Sequence, residues 1–435
     1  MSFNKQTLKD IDIDHKTVLL RADFNVPLNA AGKITDDYRI IQALPTIKYI
    51  LGKHSKLIIC SHLGRPKSPM DKKYSLKPVA ARLSKLIGPS KVSFIGNCIG
   101  LDVQKAVNDL QEGQILLLEN LRFYPEEEAN DDNFAESLAK LADVFVQDGF
   151  GVVHRAHAST SAITKHIPSV AGLLLEKEVD TITNVMDQHE RPFSAIIGGA
   201  KIADKIDLIN KFIEIADFVA IGGAMANTFL KAEGIDIGHS IYDKGEVTLA
   251  RDIIRKAKAK AEQGSFAFFL PQDAVVAKKM NSLAKTRIVD WSTHIVSDTI
   301  HYPKQSPEID HKVMEDEQIL DVGPFSAAFI AGSVQLSKTV VWNGTMGVTE
   351  VSGLHSSVGP FARGSEILIE AILGEFGHRP YSLVGGGDTV GYLEKRKLID
   401  AFDHVSTGGG ASLELMAGRK LPGVEALMNK QENHS

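Results

Sequence analysis

The sequence holds only two cysteines in 435 residues, Cys60 and Cys98, far apart and without metal-ligand spacing. That excludes a disulfide framework and a cysteine zinc site, and it fits reduced thiols packed in a core of a cytoplasmic protein. No apolar run approaches the ~20 residues that span a bilayer, so no membrane contact is expected. The polar start MSFNKQTLKDIDID lacks the apolar stretch of a secretory signal. Positive charge is not in excess. A formal net charge of −5 removes any bulk attraction to nucleic acid or anionic lipid. No Walker A sequence is present, and no GxGxxG fingerprint follows a strand. His154-Arg155 is followed by Ala156, where a protein-kinase catalytic loop needs aspartate. An anion site must therefore come from a local basic cluster, and any nucleotide site from another design.

What is present divides into two halves. The length exceeds the usual single-domain range. In the first half, four apolar runs end in polar motifs: 17–20 in RADFNVP, 56–60 in SHLGRP, 115–118 in ENLRF, and 144–146 in QDGFGVVHRAHAS. Helical patterns separate them, such as 38–51 and 76–87. Strands alternating with helices predict an α/β domain with a largely parallel sheet, whose ligands sit outside the carboxyl ends of the strands. The side chains there agree in sign: Arg21, His62, Arg65, Arg122, His154, Arg155 and His157, with Arg39 opening the first helical region. Asp23 and Asn25 stand among them. Each arginine alone would read as a surface ion pair. Their recurrence at successive strand ends points to a small, multiply charged anion, whose carboxylate or phosphate suits the guanidinium fork. His62, His154 and His157 lack the carboxylate or cysteine spacing that would make them a metal site.

The second half follows a stretch, 169–186, that reads as one long connecting helix. Five apolar runs then end in glycine, at 194–201, 217–225, 339–347, 381–389 and 402–412. This predicts a second parallel α/β domain whose binding edge is mainly backbone, with N–H groups able to hold phosphates. In IIGGAKIADK (196–205) a strand, a glycine turn and a helix start are expected. Lys201 and Lys205, four apart, would share one helix face beside an anion. Asp388, after three glycines, is the candidate Mg2+ ligand, since Mg2+ takes few carboxylates and keeps phosphate oxygens and waters. Its alternative role is a helix N-cap. Asn343 and Glu350 flank the third turn and could hold ribose or phosphate oxygens.

Taken in order, RADFNVP, SHLGRP, ENLRF, FGVVHRAHAS, GGAKIADKI, WNGTMGV, GGGDT and STGGGASLE resemble the phosphoglycerate kinase family across nearly the whole chain. The resemblance implies two doubly wound, Rossmann-like parallel-sheet domains joined by a helix, with a cleft between them. The expected boundaries are 1–168, the connecting helix 169–186, 187–405, and a segment 406–435 packing back on the first domain. It implies a cytoplasmic, monomeric enzyme of glycolysis and gluconeogenesis. Its substrates would be 3-phosphoglycerate or 1,3-bisphosphoglycerate and ADP or ATP, with Mg2+. By family pattern Asp23, Asn25, Arg39, His62, Arg65, Arg122 and Arg155 would hold phosphoglycerate. Gly199, Lys201, Lys205, Asn343, Glu350, Gly385, Gly386, Gly387, Asp388 and Thr389 would line the nucleotide site, with Asp388 on the metal. Arg39, Lys201 and the backbone of Gly409 and Gly410 would act on the group in flight. The chain departs from the family at Thr345, where proline is usual after WNG, and at Phe325, where lysine is usual. It also departs at 351–362, a longer and less aromatic stretch, and at 285–316, which is longer than the common form. A dinucleotide-dependent dehydrogenase and a non-catalytic phosphometabolite sensor are the other readings. The first lacks its fingerprint, and the second would not require both halves.

Overall fold

A computed structural model of the chain describes residues 3–68, 71–89, 91–291 and 311–430; part of the long 285–316 stretch lies outside these. The chain forms two compact units, Met1–Asn184 with Thr407–Ser435, and Val185–Ser406.

In the first unit six strands pair in parallel: β1 (Thr17–Arg21), β2 (Lys56–Cys60), β3 (Val92–Phe94), β4 (Ile115–Leu117), β5 (Val144–Gln147) and β6 (Ser169–Ala171). Their order is β3-β4-β2-β1-β5-β6. Successive side chains of a strand point to opposite faces, and here both faces are covered. Val18 and Leu20 pack with Ile47 and Leu83 from helices on one side. Leu19 packs with Phe134 and Leu138 on the other. Each such residue contributes roughly 1.5–3 kcal/mol by burial, so the strand interiors must stay apolar. Polar chemistry can begin only where the strands end. β1 has β2 on one side and β5 on the other, which makes its carboxyl end the crevice of the sheet. The helical patterns at 38–51 and 76–87 form helices Tyr38–Leu51 and Lys77–Ile87.

The stretch 169–186 is not one helix. Residues Ser169–Ala171 form β6, paired with β5, and the helix Leu173–Gln188 begins after Gly172. Pro168 cannot continue a helix backwards from 169, and the short apolar run SVA suits the open sheet edge.

In the second unit a six-stranded parallel sheet has the order β15-β14-β13-β7-β8-β9. Its strands are β7 (Phe193–Ile197), β8 (Phe218–Ile221), β9 (Ala267–Phe269), β13 (Thr339–Asn343), β14 (Tyr381–Gly385) and β15 (His404–Val405). Five of the six are the glycine-ended runs. The sequence pattern missed β9 and a separate antiparallel sheet of β10 (Asp273–Ala277), β11 (Thr286–Asp290) and β12 (Gln318–Val322). These are short strands, and of them only β12 runs into a glycine, Gly323. After β15 the chain leaves this unit at Thr407, whose N–H and hydroxyl both donate to Glu178 Oε1 at 2.7 Å in the first unit's own body.

Candidate active site

The basic residues stand at the carboxyl ends of β1, β2, β4 and β5, where Asp23 is buried against Arg39 and His62. Asp23 is 9% exposed. Arg39 donates to Asp23 Oδ2 at 2.6 Å, and the ring of His62 lies 3.9 Å from Oδ1. Burial alone would raise the Asp23 carboxyl. Arg39 above all outweighs it and holds it down at about 2. Gly151 makes this packing possible, since a Cβ there would lie 2.2 Å from Asp23 Oδ2. Asn25 Oδ1 accepts from the Gly64 N–H at 2.8 Å, and Arg122 donates to the Gly64 carbonyl at 2.7 Å. These two bonds fix the SHLGRP loop, on which Arg65 stands exposed. Arg155 donates to His154 Nε2 at 3.2 Å.

The histidines are not cations here. Burial, with the neighbouring arginines, pushes His62 well below its ordinary value and His157 down to about 4. They serve as neutral hydrogen-bonding groups, while the charge is carried by arginine. Arg39, at the start of the helix Tyr38–Leu51, joins the strand-end cluster through its pairing with Asp23. Arg21, by contrast, is 1% exposed and donates to Ser159 and to the Ala22 carbonyl, with Glu127 at 3.8 Å. It braces the floor of the site. Glu127, fully buried and accepting from the Ser159 N–H and hydroxyl, is the anchor that sequence reasoning missed. Nothing in PEEEAN separates it from its exposed neighbours.

Gly409 and Gly410 belong to this first unit. Gly410 opens the short helix Gly410–Met416, and a Cβ on it would lie 3.3 Å from His154 Nε2. The final glycine turn therefore joins the basic rim rather than the second sheet's edge.

In the second unit β7 and β13 are neighbours with the chain diverging on either side, and their carboxyl ends form the crevice. The two ends nearly touch: a Cβ on Gly198 would lie 2.1 Å from the Thr345 carbonyl. A cavity of about 370 Å³ opens beside them. Its lining includes Gly199, Gly223, Glu350 and Asp388 with apolar Leu230, Pro271, Trp291 and Val348. An apolar slot bordered by glycine turns and acidic side chains suits a flat base with a charged tail. The departure at Thr345 is buried, and it too lines the cavity. Phe325 is outside that lining and stacks toward Phe329, with ring centroids 6.2 Å apart.

The expected helix face shared by Lys201 and Lys205 does not form. The helix starts at Ile206, with Lys205 at its N-cap and Lys201 exposed before a short 3-10 turn. Two lysines within one helical turn would oppose the helix dipole, and the chain bends through Gly199, with φ +102°, before the short 3-10 turn. Lys205 donates to the Gly198 carbonyl at 2.8 Å, the Asn343 carbonyl at 3.0 Å and Asn343 Oδ1 at 2.7 Å. Its three donors tie β7 to β13, and burial pushes its ammonium down to about 8. Lys201 carries the accessible charge of the pair.

Asp388 lies exposed in the first turn of the helix Gly387–Lys395, whose N-cap is Gly386 with φ +94°. Its carboxylate is therefore not used as the cap. Thr389 is buried and its hydroxyl accepts from the Gly344 N–H at 2.8 Å. Two buried polar atoms here lack protein partners: Asn343 Nδ2 and Asn227 Oδ1, the latter on the cavity wall. Buried amides are normally satisfied, which sets these two atoms apart. Asn227 was not legible as a site residue because GGAMAN reads as an ordinary helix start. Asp321, also on the wall, is pushed up to about 8 by burial.

The sequence matches the phosphoglycerate kinase family model over residues 8–419. The chain belongs to the phosphoglycerate kinase family. It is 42% identical over 432 residues to the phosphoglycerate kinase of Pelotomaculum thermopropionicum, covering 98% of this chain and 100% of that protein. It is 43% identical over 426 residues to that of Moorella thermoacetica, with the same coverage of 98% and 100%. The solved phosphoglycerate kinase of Coxiella burnetii matches with TM-score 0.78 and 34% identity over 97% of this chain and 98% of that one. The Pyrococcus horikoshii enzyme matches with TM-score 0.77 and 28% identity over the same 97% and 98%. Phosphoglycerate kinases are phosphotransferases acting on small molecules with ATP or ADP, generally with magnesium, and this chain is an enzyme of that class. Among the described residues no helix is long and apolar enough to cross a membrane.

Proposed function

We propose that this chain transfers a phosphoryl group reversibly between 1,3-bisphosphoglycerate and MgADP, giving 3-phosphoglycerate and MgATP, as a cytoplasmic monomer. The observation that carries the reading is the pair of complementary devices. One is a guanidinium-rich rim around the buried Asp23. The other is a glycine-edged apolar cavity with an exposed carboxylate at its mouth. An arginine rim matches a phosphorylated acid, and the cavity matches a nucleotide.

Arg65, Arg122 and Arg155 would pair with the phosphate of phosphoglycerate, with neutral His62 and Asn25 hydrogen-bonding the same substrate. Asp23 would accept from its hydroxyl. In the cavity, Asn343 and Glu350 would hold ribose or phosphate oxygens, and Gly199, Gly385, Gly386, Gly387 and Thr389 would border the phosphate chain. Lys205, engaged three times over, would shape this edge from beneath. Asp388 fits a magnesium ligand because it is an exposed, uncapping carboxylate beside the cavity, and Mg2+ accepts one or two carboxylates with phosphate oxygens. When bound, Mg2+ neutralises charge on the transferred group.

The acceptor is a carboxylate, ionised at neutral pH, so the reaction needs no general base. The low values of His62 and His157 agree with that: neither is poised near neutrality to take a proton. What remains is alignment and stabilisation of the equatorial oxygens. Lys201, Arg39 and the N–H groups of Gly409 and Gly410 would supply it. A coupled assay of ATP-dependent 3-phosphoglycerate phosphorylation, with Lys201→Ala as the inactive control, tests the proposal. Full turnover in that variant would remove Lys201 from the role.

A further inference from the structure

At the opposite ends of the same strands lies a cluster that the reaction does not use. β1 and β2 are parallel, with Thr17 opposite Lys56. His15 stands two residues before Thr17, and His54 two residues before Lys56. The register therefore sets the two histidines side by side at the amino edge of the sheet. Their rings stack with centroids 5.5 Å apart and planes 18° from parallel. Each has a carboxylate at its Nδ1: Glu112 Oε1 lies 3.1 Å from His15, and Asp14 Oδ1 lies 3.4 Å from His54. One ligand atom each from Asp14, His15 and His54 lie within 4.8 Å of one another. Among the described residues no other group of three such side chains comes as close.

Both histidines also hold left-handed backbone, with φ +58° at His15 and +53° at His54. Side chains other than glycine adopt that region at a steric cost. Two of them do so here at adjacent strand entrances, and each aims an imidazole at the other.

We propose that Asp14, His15 and His54, with Glu112 as a fourth donor, form a binding site for a borderline transition-metal dication of the Zn2+ type. Two imidazoles with carboxylate oxygens suit Zn2+, Ni2+ or Cu2+, whereas Mg2+ and Ca2+ take oxygen-only sets. The side chains must close from 4.8 Å toward the ~3.3 Å between donors that a tetrahedral ion with ~2.0 Å bonds requires. They are free to do so: the His15 and His54 side chains are 64% and 68% exposed. The buried thiols Cys60 and Cys98 play no part. Bound metal would join the entrances of β1 and β2, and so would stabilise the sheet without touching the basic rim at its other end. The inference is independent of the proposed reaction.

The test uses the full chain without nucleotide, in a non-chelating buffer. His15→Gly and His54→Gly remove a ligand while accepting the left-handed backbone without strain, so the fold is kept. Titration calorimetry with Zn2+ should show one equivalent bound in the micromolar range. Each variant should bind more than about tenfold more weakly, since even outer-shell changes at metal sites cost ~10–100-fold. Co2+ should give the visible bands of a four-coordinate ion without thiolate absorption, and these should vanish in the double variant. Zn2+ should raise the Tm of the wild-type chain and not of the double variant, while turnover with Mg2+ stays unchanged in both. Equal Zn2+ affinity in the double variant, or no one-equivalent binding in the wild type, overturns the proposal.

Discussion

Replacing Arg39 by alanine probes how the basic rim is built. Arg39 lies 2.6 Å from Asp23, with side-chain exposures of 29% and 8%. The Asp23 carboxyl is held at about 2 instead of 3.8. At about 1.36 kcal/mol per pKa unit, that difference is worth roughly 2–3 kcal/mol in favour of the ionised, folded form. The sign follows from a depressed carboxyl: this stability is present above pH 3.8 and lost as pH falls toward 2. Without Arg39 the contribution disappears, and Asp23 is left ionised at neutral pH inside an anion site. Arg39→Ala should therefore lose stability of roughly 2 kcal/mol and bind 3-phosphoglycerate more weakly. It should also lose about two to three orders of magnitude in kcat, the ~2–4 kcal/mol typical of one preorganised transition-state donor. Adding Asp23→Asn separates the effects, because the amide keeps an acceptor oxygen and removes the charge. In the double variant Kd should return to within about threefold of wild type while kcat stays low, since ground-state and transition-state interactions are distinct. Calorimetry, steady-state kinetics and acid unfolding on the three proteins measure this. A double variant that recovers kcat, or a single variant that turns over normally, refutes the role given to Arg39.

Lys205→Met leaves the Gly198 and Asn343 carbonyls without their donor, and should lower stability by roughly 3 kcal/mol and raise KM for ATP; denaturant unfolding and kinetics check both. Gly151→Ala should displace Asp23, because its Cβ would come 2.2 Å from Oδ2. Turnover should fall steeply with an unchanged circular dichroism spectrum, and normal kcat would show that Asp23 need not hold its position. Asp388→Asn should weaken productive MgATP use and spare 3-phosphoglycerate binding; an unchanged Mg2+ dependence would remove Asp388 from the metal.

Nine of the twelve parallel strands were legible because buried strands are continuous apolar runs, and those runs ended in motifs; β3, β6 and β9 did not. The arginines at the first sheet's strand ends and the glycines at the second's could be read the same way. What escaped the sequence depended on partners distant along the chain. Lys205 reads like Lys201 until Gly198 and Asn343 are seen to take all its donors. The ion pair of Arg39 could not be read because its partner, Asp23, lies 16 positions earlier. The 169–186 stretch is helical in composition from Leu173 onward, and pairing to β5 shows that its first three residues are strand. The cavity wall at Asn227, Asp321 and Trp291 comes from three segments, none carrying a motif.

Trapping the product tests the central claim most directly. An acyl phosphate reacts with hydroxylamine to give a hydroxamate, whereas a phosphate ester does not. Incubating the chain with 3-phosphoglycerate, MgATP and hydroxylamine should yield hydroxamate and ADP in equal amounts, with neither formed when 3-phosphoglycerate is omitted. ADP release without hydroxamate would mean that the phosphoryl group goes to water or to a hydroxyl, and would contradict transfer to a carboxylate.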